Sequence, residues 1–226
     1  MCGRFALLYD HGFYGDFRIL DDDLPAKPEI KSNYNAAPGQ NLPVITQNEK
    51  GNTIQLMRWG MVPHWAKDPK IGYSLINAKA ETLAEKPTWK HPFKRQRCIV
   101  PASGFIEWKR QGNSKTPYFI KLADREYFSF AGLYDIWKDA EGYEYKSFSI
   151  VTNEPNEAVA AIHNRMPVIL TPEQEDVWLS PEANEQLELL SDLLNQKPQH
   201  QMDIYPISTE INNTKNNKAE LLQKTS

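Results

Sequence analysis

The sequence predicts an α+β fold, a single β-rich domain with helices around it. Three observations lead there. Between Arg97 and Thr152, short alternating runs rich in Ile, Val, Phe, Tyr and Trp follow one another, broken by turn residues. Helical patterns are confined to a few segments, chiefly after Thr171. The 226 residues hold no internal repeat and no linker long enough to divide them, so one domain over 1–226 is the economical reading.

Taken in order, residues 2–8 read as a first strand. Residues 10–33 are mixed, and Asp21-Asp22-Asp23 with Pro25 and Pro28 marks a surface loop. Tyr34 to Gly39 is turn-rich. Leu42 to Gln47 and Thr53 to Met61 form a hairpin around Glu49-Lys50-Gly51-Asn52. Leu75, Ile76, Ala80 and Leu83 recur at helical spacing, so Ser74 to Glu85 is expected to be a helix stopped by Pro87. Residues 86–97 carry no acid and interleave Trp89 and Phe93 with cations. They are either a solvated loop or a nucleic-acid contact, with cations on phosphates and rings on bases. Strands follow at 98–101, 104–109, 117–122, 127–137 and 145–152, then a short helix at 155–162 and an apolar strand at 168–170. Thr171 caps a helix that has Pro172 at its first position. An amphipathic helix spans 183–195. Residues 212–226 form a polar, partly flexible tail that Ala219, Leu221 and Leu222 could dock.

Composition excludes several classes. No run is long enough for a membrane span, and no signal sequence precedes the first strand. Two cysteines, Cys2 and Cys98, make no disulfide framework. A cytoplasmic location is expected, nucleoid-associated in a bacterium. A net charge of −3 argues against a generally basic nucleic-acid coat but leaves room for a local basic groove. No Cys, His, Asp and Glu spacing suggests a metal; His64 and His91 lie far apart in sequence. No glycine loop cradles a phosphate. Neither a cofactor nor a metal is expected.

The N-terminus carries the most chemistry. Methionine aminopeptidases remove Met before a small residue, so the mature chain is expected to begin at Cys2. An N-terminal cysteine has an amine of pKa about 7.7–8.0 beside a thiol of about 8.5. A basic neighbour such as Arg4 is expected to raise the thiolate share. The amine can act as base for its own thiol, or both can attack one aldehyde carbon and close a thiazolidine. Glu107 sits mid-strand on the face of Phe105 and Lys109; burial there would raise its pKa into a useful acid–base range. His163 lies between a helix and a strand, where catalytic groups often sit. Asn77 is equally suited to a cap or a turn.

Together the motifs resemble the SRAP family, the SOS-response-associated peptidases also called abasic-site processing proteins. The matching stretches are Met1 to Phe5, Tyr34 to Gly39, Trp59 to Pro63, Asn77 to Thr82, Arg97 to Trp108, His163 to Pro167 and Asn212-Asn213. They run in family order from residue 2 to about residue 217. The resemblance implies a β-rich α+β domain that binds single-stranded DNA containing abasic sites; a monomer is expected, though no residue pattern fixes the oligomeric state. It implies that Cys2, freed from Met1, captures the ring-opened aldehyde as a thiazolidine crosslink. Asn77 matches the residue that hydrogen-bonds at the abasic sugar, Glu107 the carboxylate that moves protons, and His163 the histidine that assists ring opening and reversal. Arg4 and Lys79 match phosphate contacts; many members have Arg where this chain has Lys79. Pro38, Trp65 and the basic stretch with Lys90, Lys94 and Arg95 would flank the strand, and Arg165 falls in the His163 motif as a further contact. Two other readings use the same residues. One is an N-terminal-nucleophile amidohydrolase of the glutamine amidotransferase type; the other is a non-catalytic single-strand-binding module.

Overall fold

The computed structural model describes residues 2–20, 28–196 and 201–225; the loop expected at Asp21-Asp22-Asp23 and Pro25 lies outside them. Strand β1 (Phe5–Leu7), helix α1 (Phe13–Asp16), β2 (Asn33–Ala36), β3 (Asn41–Asn48), β4 (Gly51–Trp59) and β5 (Asn77–Lys79) come first. Helix α2 (Pro87–Arg95) leads into β6 (Arg97–Ala102), β7 (Gly104–Gln111), β8 (Ser114–Leu122), β9 (Phe128–Lys138) and β10 (Glu144–Asn153). Then follow α3 (Glu157–Ala160), β11 (Met166–Pro167), β12 (Ile169–Leu170), α4 (Pro172–Leu179), α5 (Leu187–Asn195) and β13 (Met202–Pro206).

The strands form two sheets. One has the order β13-β8-β7-β1-β2. The other runs β11-β10-β4-β3-β6-β9-β12, and β10 also pairs with β9, so its middle closes into a barrel. Closure removes the exposed edges that would otherwise invite pairing with another chain. Apolar side chains from both sheets meet between them. The Phe5 ring lies 5.3 Å from that of Trp59 and 5.9 Å edge-on to that of Phe130, within the range of favourable aromatic pairs. The short first strand is thereby held by its own side chain as well as by its two neighbours.

The β3–β4 hairpin falls where turn chemistry places it. Asn48 Oδ1 accepts from the amides of Lys50, at 2.9 Å, and Gly51, at 3.1 Å. Thr171 and Gln174 form the reciprocal capping box that opens α4, with Pro172 behind them.

Five segments depart from expectation. Ser74 to Glu85 is not a helix. A 3-10 turn at Pro69–Ser74 precedes β5, and another follows at Ala80–Thr82. Asn77, Ala78 and Lys79 pair in parallel with Ile150, Val151 and Thr152, so a tertiary ladder overrides the helical spacing. Residues 86–97 are mostly helix, with Pro87 in the first turn. Trp89 and Phe93 are buried, which overturns the reading of those rings as base platforms. Residues 33–36 form β2 before the turn at Pro38-Gly39. Finally, residues 212–225 lie against the five-stranded sheet. Leu221 and Leu222 are buried with Ile106, Phe119 and Ile211, and Lys224 bridges to Ile207. Strand β13, which pairs with β8, had no expected counterpart.

The docked C-terminal segment gives a stability prediction. Leu221→Ala should lower the unfolding free energy by about 2–4 kcal/mol, as for other buried leucines. Urea titration checks this. A change below about 0.5 kcal/mol, typical of a surface position, would mean that the segment is not packed.

Candidate active site

The site is built where β1 enters the five-stranded sheet. Phe5 pairs with Ala36 on one side and Phe105 on the other, and the Ile106 amide donates to the Arg4 carbonyl at 3.0 Å. These pairings bring Cys2 beside β7. Cys2 is fully buried. Its Sγ faces the Arg4 carbonyl at 3.6 Å, and its own carbonyl accepts from Asn77 Nδ2 at 2.8 Å. Asn77 Oδ1 is buried and has no hydrogen-bond partner among the described residues. An orphaned buried acceptor costs about 1–3 kcal/mol, which a donor on a ligand would relieve.

Glu107 stands two residues beyond Phe105 on β7, opposite Tyr118. Alternation turns it inward with Phe105, while Ile106 and Trp108 face the C-terminal segment. It is 2% exposed, and burial raises its carboxyl to about 7. His163 follows α3, its amide bonded to the Val159 carbonyl at 2.9 Å. Its Nδ1 lies 3.1 Å from both the amide and the carbonyl of Arg165. Its Nε2 is 3.9 Å from Glu107 Oε2. That separation is wider than a hydrogen bond, so an oxygen of a bound ligand could contact both groups. Desolvation pulls His163 below the usual imidazole pKa, keeping it neutral near pH 7.

Cys2, Asn77, Glu107 and His163 therefore meet at one place. The cations sort differently. Arg4 does not activate the thiol. Its Nη1 donates to Asn35 Oδ1 at 2.7 Å and the Ile211 carbonyl at 2.8 Å, and its guanidinium lies over the Trp108 ring. Burial first, and the charge of Glu107 second, push the Cys2 thiol well above its ordinary pKa. The expected rise in thiolate is reversed. Lys79 is exposed two residues beyond Asn77 on β5, opposite Thr152. Pro38 is half-buried in the turn after β2, and Trp65 is 52% exposed. The Trp65 loop is held by the His64 amide on Asp135 Oδ2, 2.9 Å, and by Trp137 Nε1 on the Ala66 carbonyl, 2.7 Å.

Arg165 is already matched, forked onto Glu81 and bonded to the Thr152 carbonyl at 2.5 Å. Lys94 and Arg95 both hold Glu185, at 2.6 and 2.5 Å. With exposed Lys90 they lie on α2, whose buried rings join the cluster of Trp178 rather than that of Cys2. Sequence reasoning missed Asn35. It is almost wholly buried, and its Nδ2 donates to the carbonyls of Ile211, Asn213 and Asn216 at 2.9–3.2 Å. An Asn inside a strand, where such residues are rare, was the available signal. Trp108 and Asn212, joined at 2.9 Å, belong to the same network.

The description "SOS response associated peptidase (SRAP)" matches residues 1–214. The chain belongs to the SRAP family. It is 43% identical to "Abasic site processing protein YoqW" of Bacillus subtilis, over 99% of each chain. To "Abasic site processing protein YedK" of Escherichia coli it is 32% identical, again over 99% of each. A crystal structure of a Bacteroides thetaiotaomicron protein superposes with a TM-score of 0.88 at 29% identity, covering all of both chains. The SRAP fold in this chain thus carries the buried N-terminal cysteine and the raised carboxyl side by side.

The raised carboxyl makes a signed pH prediction. Unfolded, Glu107 loses its proton near 4.5; folded, it does so near 7. Across that window the folded state loses stability as pH rises, by about 3 kcal/mol for the full shift. Glu107→Gln removes the titration. The variant's stability relative to wild type should improve between about pH 5 and about pH 8 in urea titrations. A difference independent of pH contradicts the raised carboxyl.

Proposed function

We propose that this chain processes abasic sites in single-stranded DNA, and that Cys2, once Met1 is removed, joins the lesion aldehyde as a thiazolidine. The observation that carries this reading is the convergence of Cys2, the orphan acceptor of Asn77, and Glu107 near neutral pKa. While Met1 is present, the Cys2 nitrogen is an amide and cannot add to a carbonyl. Its hydrolytic release frees the amine.

The chemistry then follows from the site. His163 and Glu107 flank the sugar, where one proton transfer opens the hemiacetal to the aldehyde. The Cys2 amine adds to the aldehyde carbon, and the carbinolamine loses water to give an imine. Glu107, part-protonated near pH 7, supplies the proton that departs with that water. The buried thiol is neutral, so it waits for the imine. Its sulfur adds to the imine carbon while its proton passes, through the Glu107 carboxylate, to nitrogen. The ring closes with the net loss of one water. Asn77 holds the Cys2 carbonyl through Nδ2 and offers Oδ1 to a sugar hydroxyl. Lys79 takes a flanking phosphate, Arg4 instead braces the N-terminal strand through Asn35 and the Ile211 carbonyl, and Pro38 and Trp65 border the DNA strand.

Intact-mass measurement after incubation with a single-stranded oligonucleotide bearing one abasic site tests this. The expected species is protein minus Met1 plus DNA minus water, absent with undamaged DNA and with Cys2→Ala. Glu107→Gln should slow its appearance about a hundredfold or more, and His163→Ala should slow formation or reversal, both with DNA binding retained. No adduct from protein shown to lack Met1 would overturn the proposal.

A further inference from the structure

Several arginines already have partners. Arg18 holds Glu175 and Asp176, Arg165 holds Glu81, Arg95 holds Glu185, and Arg97 donates to buried carbonyls. Arg58, at the end of β4, is set against an exposed ring. Among the described residues its side chain pairs with no carboxylate; it donates from Nη2 to Tyr73 Oη at 3.2 Å and lies over that ring, 5.6 Å from the centroid. Tyr73 is 68% exposed. An outward ring backed by a cation has one face covered and the other open.

The pair is rigidly placed beside the site. Gly60 and Gly72 pass so closely that a Cβ on either would sit 2.6 Å from the other's carbonyl oxygen. Trp59 Nε1 donates to the Ile76 carbonyl at 2.8 Å, and the Met61 amide to that of Leu75 at 3.1 Å. These contacts fix the segment from Tyr73 to Asn77 against the end of β4. On the other side, Arg58 Nη2 lies 3.3 Å from where a Cβ of Gly39 would be, and Gly39 has φ +91°. A side chain there would be strained and would crowd the guanidinium. The Pro38-Gly39 turn continues β2, which pairs with β1 just beyond Cys2. Arg58 and Tyr73 thus stand between two segments that border the nucleophile.

We propose that Arg58 and Tyr73 hold the nucleotides next to the abasic site, the guanidinium taking a backbone phosphate and the open ring face stacking a neighbouring base. The inference rests on the single-strand reading above. An Arg fork suits phosphate oxygens, and ring stacking tolerates any base. A site that must accept lesions in every sequence context needs contacts of that kind.

Fluorescence anisotropy with a labelled, undamaged single-stranded oligonucleotide tests it, with crosslinking of an abasic oligonucleotide run beside it. Tyr73→Ala should weaken binding about tenfold, and Tyr73→Phe should restore it, since the ring rather than the hydroxyl is used. Arg58→Gln should reduce the salt dependence of log K by about 0.7, whereas Lys121→Gln should leave it as in wild type. Wild-type affinity and salt slope in both Tyr73→Ala and Arg58→Gln, in a protein that crosslinks normally, would overturn the assignment. A wild-type protein that neither binds nor crosslinks would instead defeat the functional reading, and this inference with it.

Discussion

The pairing of β1 between β2 and β7 holds Cys2 in place, and the nucleophile proposed for this chain can work only if it is held still. The strand has only three residues, too few to be stable alone. Its place between two strands of the sheet, the Phe5 contacts with Trp59 and Phe130, and the Asn77 bond to the Cys2 carbonyl compensate. Asn35 adds a clasp from the far end of the chain. By bonding Arg4 and three carbonyls between Ile211 and Asn216, it ties the N-terminal strand to the C-terminal segment. Arg4, Asn35 and residues 211–216 thus form one network.

Burial sets the chemistry as well as the position. It raises both the Cys2 thiol and the Glu107 carboxyl, because a low-dielectric setting disfavours either charge. In the proposed reaction the neutral thiol would wait until the lesion carbon is attached to the amine, and the carboxyl would carry protons near neutrality. Arg4 is withdrawn from the sulfur into the Asn35 network. The protonation of thiol and carboxyl is therefore set by the same packing that holds the strand.

The sequence shows much of this, and its failures have physical causes. The strands from Arg97 to Thr152 were legible because alternation and turn residues agree. The face of Glu107 was legible, shared with Phe105 and Lys109, but its direction was not, because Ile106 and Trp108 make the opposite face equally apolar. The helix expected over Ser74 to Glu85 fails because its spacing is local, whereas its pairing partner on β10 is some seventy residues away. Trp89 and Phe93 have the spacing of a base-stacking segment and that of an amphipathic helix; only the fold shows that they face the core. Cation pairing is equally invisible in sequence, since Glu185 and Glu81 lie some ninety and eighty residues from their partners. Arg58 and Tyr73, fifteen residues apart, meet only because Gly60 and Gly72 let two backbones touch.

The central claim is that both atoms of Cys2 end on one lesion carbon. Counting free thiols after denaturation tests it most directly. The chain has two cysteines, both unpaired. Iodoacetamide should add two groups to the free protein but only one, on Cys98, to the purified DNA adduct, and borohydride should leave the adduct's mass unchanged. Two alkylated thiols on an adduct that borohydride reduces would show an open imine, with the sulfur of Cys2 uninvolved.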